Sequence, residues 1–154
     1  MWVVRSENPD PFHNLAVEEY LLGQVERHGF ILYLWTNRNC VIVGKNQNPW
    51  TECSLSSMDE ENVPLVRRLS GGGAVFHDHG NLNYSFILPR TQYHTGRQFE
   101  IILGALNRLG IRAERNGGNS LAVNNGKISG NAFYLRGNAA LHHGTLLIEA
   151  DLEK

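Results

Sequence analysis

The sequence predicts an α+β domain with a mainly antiparallel sheet packed with helices. Short apolar stretches recur along the chain, divided by turn-forming segments such as "TNRN", "HG" and "NNG". Only two segments carry sustained helical spacing, one after Asp10 and one after Thr95. Neighbouring strands joined by tight turns, with two substantial helices, make a sheet with helices packed on it. No repeat or low-complexity linker divides the chain, so one domain, residues 1–154, is expected.

"WVVR" opens as a short strand. Asp10-Pro11 then has the form of a helix start, with an N-cap carboxylate and proline at the first helical position. Val17, Leu21 and Val25 follow at helical spacing, Leu15 and Leu22 add a second apolar row, and Gly29 ends the helix. "FILYLW" and "CVIVG" read as buried strands joined through "TNRN" as a hairpin. Residues 46–62 are polar and predict loop with a short helix, and "VPLVRR" is extended because Pro64 biases its predecessor toward β.

"AVFHD" and the segment from Asn81 to Leu88 read as a hairpin across the "HG" turn. Leu82, Tyr84, Phe86 and Leu88 share one face of the second strand, and Asn83, Ser85 and Ile87 the other. Thr95 and Gln98 have capping-box spacing. Phe99, Ile102, Leu103 and Leu106 follow at i, i+3, i+4 and i+7, with Gly110 as C-cap. "LAV" and "KIS" form a hairpin with Asn125-Gly126 in the corner, and "HHGTLLI" is the last strand.

Composition narrows the function classes. With 42% apolar and 19% charged residues the 154-residue chain is globular rather than disordered. A formal charge of −1 supplies no global basic field, so neither nucleic acid nor an anionic membrane is expected as a partner. Any anion recognition must be local. "FILYLW" is far shorter than the roughly 20 residues that cross a bilayer. The first residues lack the form of a signal peptide, and two cysteines outside any CxxC make no disulfide framework. A reduced, cytoplasmic chain is the expectation.

The most informative stretch is "RRLSGGGAVFHDHGNLNYSF", from Arg67 to Phe86. Backbone N–H groups of a glycine loop approach an anion closely because no Cβ intervenes. Arg67 and Arg68 precede that loop, and a guanidinium suits phosphate or carboxylate. No Gly-Lys-Ser/Thr follows, so the block is not a Walker A loop, and "AVF" continues as strand rather than helix. An anionic ligand along the loop and a glycine-rich bend at a sheet edge both remain open.

Lys127, after a tight turn and between Gly126 and Gly130, is either a solvated hairpin residue or a second cation for that anion. His142 and His143 are adjacent in a strand and so point to opposite faces. His77 and His79 share a face if the strand continues, which permits a metal, although the seven histidines show no zinc-type spacing. Cys40 opens an apolar strand as inert packing, and Cys53 lies in a polar segment as the more accessible thiol.

These blocks, with "NPDPFHNLAVEEYLL", "VIVGKNQNPWTEC", "KISGNAF" and "HHGTLLIEADL", resemble the lipoate–protein ligase A family in order through nearly the whole chain. The resemblance implies the fold of biotin–protein ligase catalytic domains. It also implies a two-step reaction, in which lipoate and ATP with Mg2+ form lipoyl-adenylate and pyrophosphate. The lipoyl group then passes to a lysine of a lipoyl domain of a 2-oxoacid dehydrogenase or of the glycine-cleavage H protein. By motif position, Arg68 and Gly73, Ala74, Val75 and Phe76 would contact the nucleotide or adenylate. Lys127 would be the catalytic cation on the acyl carboxyl oxygen and the α-phosphate. Gly71, Gly72 and His142 would line the neighbouring pocket.

The chain departs from the family in having Gly117-Gly118-Asn119-Ser120 where Gly-Arg-Asn-Asp is common. The aspartate that would suit magnesium is thereby replaced, with Asp78 as the nearby carboxylate to consider. The family's catalytic unit also extends beyond the "HHGTLL" block. An incomplete C-terminus is therefore expected, with three readings open: a fragment of a longer chain, one half of a split ligase with a separate C-terminal ligase domain, or a degenerate copy. Two other functions stay open: an ATP-independent lipoyl or octanoyl transferase working through Cys40 or Cys53, and a non-catalytic domain that binds lipoate or a lipoyl domain.

Overall fold

A computed structural model describes residues 1–152, so the last two residues of the expected 1–154 domain lie outside the described residues. The elements in chain order are β1 (Trp2–Arg5), α1 (Pro11–Leu22), α2 (Val25–His28), β2 (Ile31–Thr36), β3 (Cys40–Val43), α3 (Pro49–Glu52) and α4 (Leu55–Glu60). They continue as β4 (Leu65–Arg67), β5 (Val75–His77), β6 (Asn81–Pro89), a 3-10 turn, α5 (Thr95–Arg108), β7 (Glu114–Asn116), β8 (Ser120–Val123), β9 (Gly126–Arg136) and β10 (Ala139–Leu147).

The expected α+β architecture is present, and the large sheet is mainly antiparallel with one parallel pair. Seven strands run in the order β1-β2-β6-β10-β9-β8-β7, and β1 pairs β2 in parallel. The other neighbours in that sheet are antiparallel. A second sheet has the order β4-β3-β5, with β3–β4 parallel and β3–β5 antiparallel.

Each face of the large sheet carries its own core. On one face Ile31, Tyr33, Trp35, Ile87 and Leu141 pack against Leu21, Leu22 and Val25 of α1 and α2. On the other, Tyr84, Phe86, Leu88 and Ala140 pack against Phe99, Ile102 and Leu106 of α5. Both faces of β6 are therefore buried, and its alternation separates two cores instead of core from solvent. Among the described residues no helix is long and apolar enough to cross a membrane.

Five local expectations are corrected. The first helix ends at Gly23 and restarts at Val25, though Asp10 caps it as expected by accepting from Phe12 N (2.8 Å) and His13 N (3.1 Å). "FILYLW" and "CVIVG" do not form a hairpin, because β2 and β3 lie in different sheets. The physical reason is Asn14 of α1: its Nδ2 donates to Thr36 O (3.0 Å) and Asn37 Oδ1 (3.0 Å), pinning the link between layers.

Likewise β5 and β6 diverge at the "HG" turn. Gly80 O accepts from Ile148 N (3.0 Å) and Glu149 N (3.1 Å), so the segment after β10 fills the turn. His94, not Thr95, is the N-cap of α5, since Thr95 Oγ1 donates instead to Tyr93 Oη at 3.2 Å. The β8–β9 turn centres on Asn124 and Asn125, at φ 50° and 67°, with Val123 paired to Gly126. Two positive φ angles in succession are the hairpin geometry that asparagine tolerates.

Candidate functional site

Arg67 and Arg68 leave β4 in opposite directions and brace two loops. Arg67 Nη1 donates to the carbonyls of Gly44 (2.9 Å), Lys45 (3.1 Å) and Gln47 (2.8 Å). Arg68 is buried and turns onto the glycine block. Its Nη2 donates to Gly71 O (2.8 Å) and Gly73 O (2.8 Å), its Nη1 to Ile42 O (3.2 Å), and its Nε to Ser70 Oγ (3.1 Å). Burial pulls the Arg68 pKa down from its usual value, and the charge of Glu18 opposes that.

Arg68 thus spends most of its donors on the loop itself. In a trans peptide the N–H of the next residue points opposite to the carbonyl. With the Gly71 and Gly73 carbonyls turned to Arg68, the Gly72 and Ala74 N–H groups point the other way. Among the described residues nothing accepts from the N–H of Gly71, Gly72 or Gly73. A concave run of unpaired backbone donors above a buried cation is an anion-binding arrangement.

A cleft of about 310 Å³ opens beside this loop, lined by Arg68, Gly72, Gly73, Ala74 and Val75 on one side. Facing them are Asn119, Ser120, Lys127, Gly130 and Asn131, with His143 and Thr145 of β10 at the floor. Lys127 is exposed and lies over Gly130, where an added Cβ would meet its Cε and Nζ at 3.6 Å. No carboxylate among the described residues pairs with it. Lys127 also lines the adjoining cleft, which contains Asp78, Asn81 and Phe76. An unpaired ammonium therefore stands where two clefts meet, opposite the glycine loop.

The two histidines of β10 do take opposite faces, and each serves a different wall. His143 lines the cleft, with Nε2 2.6 Å from Ser70 Oγ and Nδ1 2.9 Å from Glu18 Oε1. His142 is fully buried among the rings of Tyr84, Phe86, Phe99 and Phe133. Its Nε2 lies 2.8 Å from Asn131 Oδ1, and Asn131 Nδ2 donates to Ser129 Oγ (3.1 Å) and Asn119 O (3.3 Å). Since the amide nitrogen donates, Oδ1 accepts, and the His142 proton sits on Nε2. Burial, ahead of the nearby charges, pushes the His142 pKa down to about 3.

His77 offers the clearest unpaired group. Asn37 Oδ1 accepts from Asn14 Nδ2, so Asn37 Nδ2 donates to His77 Nδ1 at 3.2 Å. The neutral ring then carries its proton on Nε2, which is buried with no partner, and His77 lines the cleft. Burial, followed by the charge of Arg68, pushes its pKa down to about 3. A buried donor without an acceptor beside a cleft suits a ligand oxygen.

Arg68, Gly72, Gly73, Ala74, Val75 and Lys127 thus come together at one cleft. Gly71 supports them from behind through its carbonyl, and Phe76 faces the neighbouring clefts. The placement of His142 in the pocket is corrected: the parity of β10 directs it into the aromatic core, and it reaches the cleft wall only through Asn131. Burial drives the Cys40 thiol up to about 12, while Cys53 lines a different cleft beside α3 and α4.

Sequence reasoning did not single out Glu18, Ser70 or Asn131, and considered His77 only as a metal ligand with His79. All four were inside quoted motifs, Glu18 in "NPDPFHNLAVEEYLL", Ser70 in "RRLSGGG", His77 in "AVFHD" and Asn131 in "KISGNAF", but nothing local marked them as facing a cleft or one another.

The described residues contain no group of three or more His, Cys, Asp or Glu that could hold a metal. His79 does not join His77 in one. Ser120 supplies only a neutral hydroxyl. Asp78 already accepts from Gly80 N (2.8 Å) and Asp151 N (2.7 Å). The donor set does not fit a protein-held magnesium ion.

A family model, described as the lipoyl protein ligase A/B catalytic domain, matches residues 10–154. The chain is 42% identical to a lipoate-protein ligase A of Psychrobacter cryohalolentis over 152 residues, covering 99% of this chain and 45% of that protein. It therefore spans about half the length of the curated relative it matches.

Among solved structures, LipL1 of P. falciparum in complex with lipoate superposes with a TM-score of 0.93 at 37% identity, covering 99% of this chain and 49% of that one. A bipartite lipoate protein ligase with its E2 lipoyl domain from Thermoplasma acidophilum gives a TM-score of 0.88 at 29% identity, covering 98% and 62%. A lipoate-protein ligase A bound with ATP gives 0.88 at 26% identity, covering 99% and 68%. Biotin protein ligase from Leishmania major, at 9% identity, TM-score 0.51 and coverage of 94% and 55%, shares the fold alone.

Proposed function

This chain belongs to the lipoyl protein ligase A/B catalytic domain family, and from that premise we propose that it activates lipoate with ATP and passes the lipoyl group to a lipoyl-domain lysine. The observation that carries this reading is Lys127, an unpaired ammonium between two clefts and across from the free N–H groups of Gly72 and Gly73. Relatives described as in complex with lipoate, as bound with ATP, and as a bipartite ligase with its E2 lipoyl domain support the substrates and partner.

In the first step a lipoate carboxylate oxygen attacks the α-phosphorus of ATP, and pyrophosphate leaves with the bond electrons. Two anions converge, so positive charge at the point of attack favours the transition state over the separated reactants. Lys127 supplies that charge, and the glycine-loop amides supply fixed dipoles that need no reorganisation. His77 Nε2–H is a further donor for a ligand oxygen. In the second step a neutral lysine amine attacks the acyl carbonyl and AMP leaves. ATP brings magnesium on its phosphates, which needs few protein ligands, and no step is assigned to a magnesium held by this chain.

The transferase alternative lacks a placed thiol, because Cys40 is buried and Cys53 faces another cleft. The test is lipoate-dependent exchange of labelled pyrophosphate into ATP, run with the chain alone and with the C-terminal remainder of a longer relative supplied in trans. Exchange in either arm is expected; its absence in both defeats the reading.

A further inference from the structure

One hydrogen-bonded chain runs behind the glycine loop. Arg68 Nε can only donate, so Ser70 Oγ accepts from it at 3.1 Å. Ser70 Oγ has two acceptors in reach for its own proton, His143 Nε2 at 2.6 Å and Gly71 O at 3.5 Å, and the short contact to His143 is the better placed. An accepting Nε2 carries no proton, so the ring proton sits on Nδ1. That nitrogen faces both oxygens of Glu18, at 2.9 and 3.1 Å. Ser85 Oγ donates to the same carboxylate, and Trp35 Nε1 donates to Ser85 Oγ at 3.1 Å. Every donor meets an acceptor from α1 to the glycine loop.

Glu18 is 1% exposed and Ser70 0%, so water does not reach these two partners, and His143 is 7% exposed where it lines the cleft. A buried carboxylate needs such a set of donors to be tolerated. Its neighbour Glu19, one residue on, instead pairs with Arg136 at the surface.

We propose that Glu18 and His143 are positioning residues which, through Ser70, lock Arg68 and hence the carbonyls of Gly71 and Gly73, keeping the loop N–H groups turned toward the cleft. The proposal rests on the lipoate-activating reading for what the loop binds. The order Ser–His–Glu matches that of nucleophilic triads, but Ser70 has no exposed surface and its oxygen already accepts from Arg68. Its geometry serves alignment.

The full chain with ring-15N histidine is expected to show His143 protonated on Nδ1 with a bare Nε2. Ser70→Ala removes one oxygen and little volume. It is expected to speed hydrogen exchange about tenfold at Arg68 Nε and at the Lys45 amide, which donates to Ser70 O (2.8 Å), as one lost hydrogen bond would. Glu18→Ala should do the same, and Glu18→Gln, which keeps an acceptor for Nδ1–H, should restore slow exchange. An Nε2–H tautomer, unchanged exchange in Ser70→Ala, or labelling of Ser70 by a fluorophosphonate overturns the proposal. Titration of wild type with lipoate and with ATP separates the two claims: binding of neither defeats the functional reading and leaves the exchange data to judge the relay.

Discussion

A side chain on Gly44 would land on the carbonyl oxygen of Gly72, with Arg68 Nη2 3.2 Å away. The end of β3 and the glycine loop touch there with no room for a methyl group. Gly44→Ala is therefore expected to push the loop off its Arg68 brace. Affinity for ATP and lipoate should fall at least tenfold by titration calorimetry, while the far-UV spectrum stays native. Wild-type affinity would show that the loop's shape does not matter to binding.

Lys127 is exposed and unpaired, so its loss should affect chemistry more than folding. Lys127→Met is expected to lower pyrophosphate exchange by about 100- to 1000-fold, the usual effect of removing one transition-state donor. Unfolding free energy should stay within about 0.5 kcal/mol of wild type. Near-normal exchange would remove Lys127 from the mechanism.

His77 and His142 both have pKa values pushed down to about 3, chiefly by burial. The unfolded chain takes up protons near pH 6.5 that the folded chain refuses. Their stabilisation is complete above pH 6.5 and is lost as pH falls from 6.5 toward 3. Each contributes a slope of up to about 1.4 kcal/mol per pH unit. Denaturant titrations at pH 6.5, 6.0, 5.5 and 5.0 should show stability falling, and the slope should drop by about one proton in His142→Leu. An unchanged slope in that variant would refute the assignment.

Cys40 is buried in the small sheet and its thiol is driven up to about 12. Native protein should react with iodoacetamide at Cys53 and leave Cys40 unmodified, as intact-mass and peptide analysis would report. The Cys53→Ser variant should keep full acyl transfer. Loss of transfer in Cys53→Ser would instead favour a thioester route.

Phe99 anchors α5 to the sheet, 1% exposed and in ring contact with Phe133 and His142. Phe99→Ala should cost about 3–5 kcal/mol of unfolding free energy. A loss below about 1 kcal/mol would mean that α5 packs without it.

Much of this protein was readable from short windows of sequence. The α5 helix followed from the spacing of Phe99, Ile102 and Leu106, and the α1 start from Asp10-Pro11, because capping and periodicity are local properties. The glycine block and Lys127 could be singled out as candidates for an anion site because backbone freedom and formal charge belong to the residue itself, while the choice between that and a bent sheet edge stayed open. Strand pairing was not readable. "FILYLW" and "CVIVG" look alike as strands, and only the grip of Asn14 on Asn37 sends them to different sheets.

The same division holds at the site. Sequence alone determined that His142 and His143 face opposite ways, since strand side chains alternate. The tertiary structure decided which one reaches the cleft, because that depends on which face of β10 the helices cover. It also decided that Arg68 braces the loop, and that Glu18 is buried while Glu19 is exposed. Those outcomes depend on contacts between residues as far apart as Glu18 and His143, which no window of sequence contains.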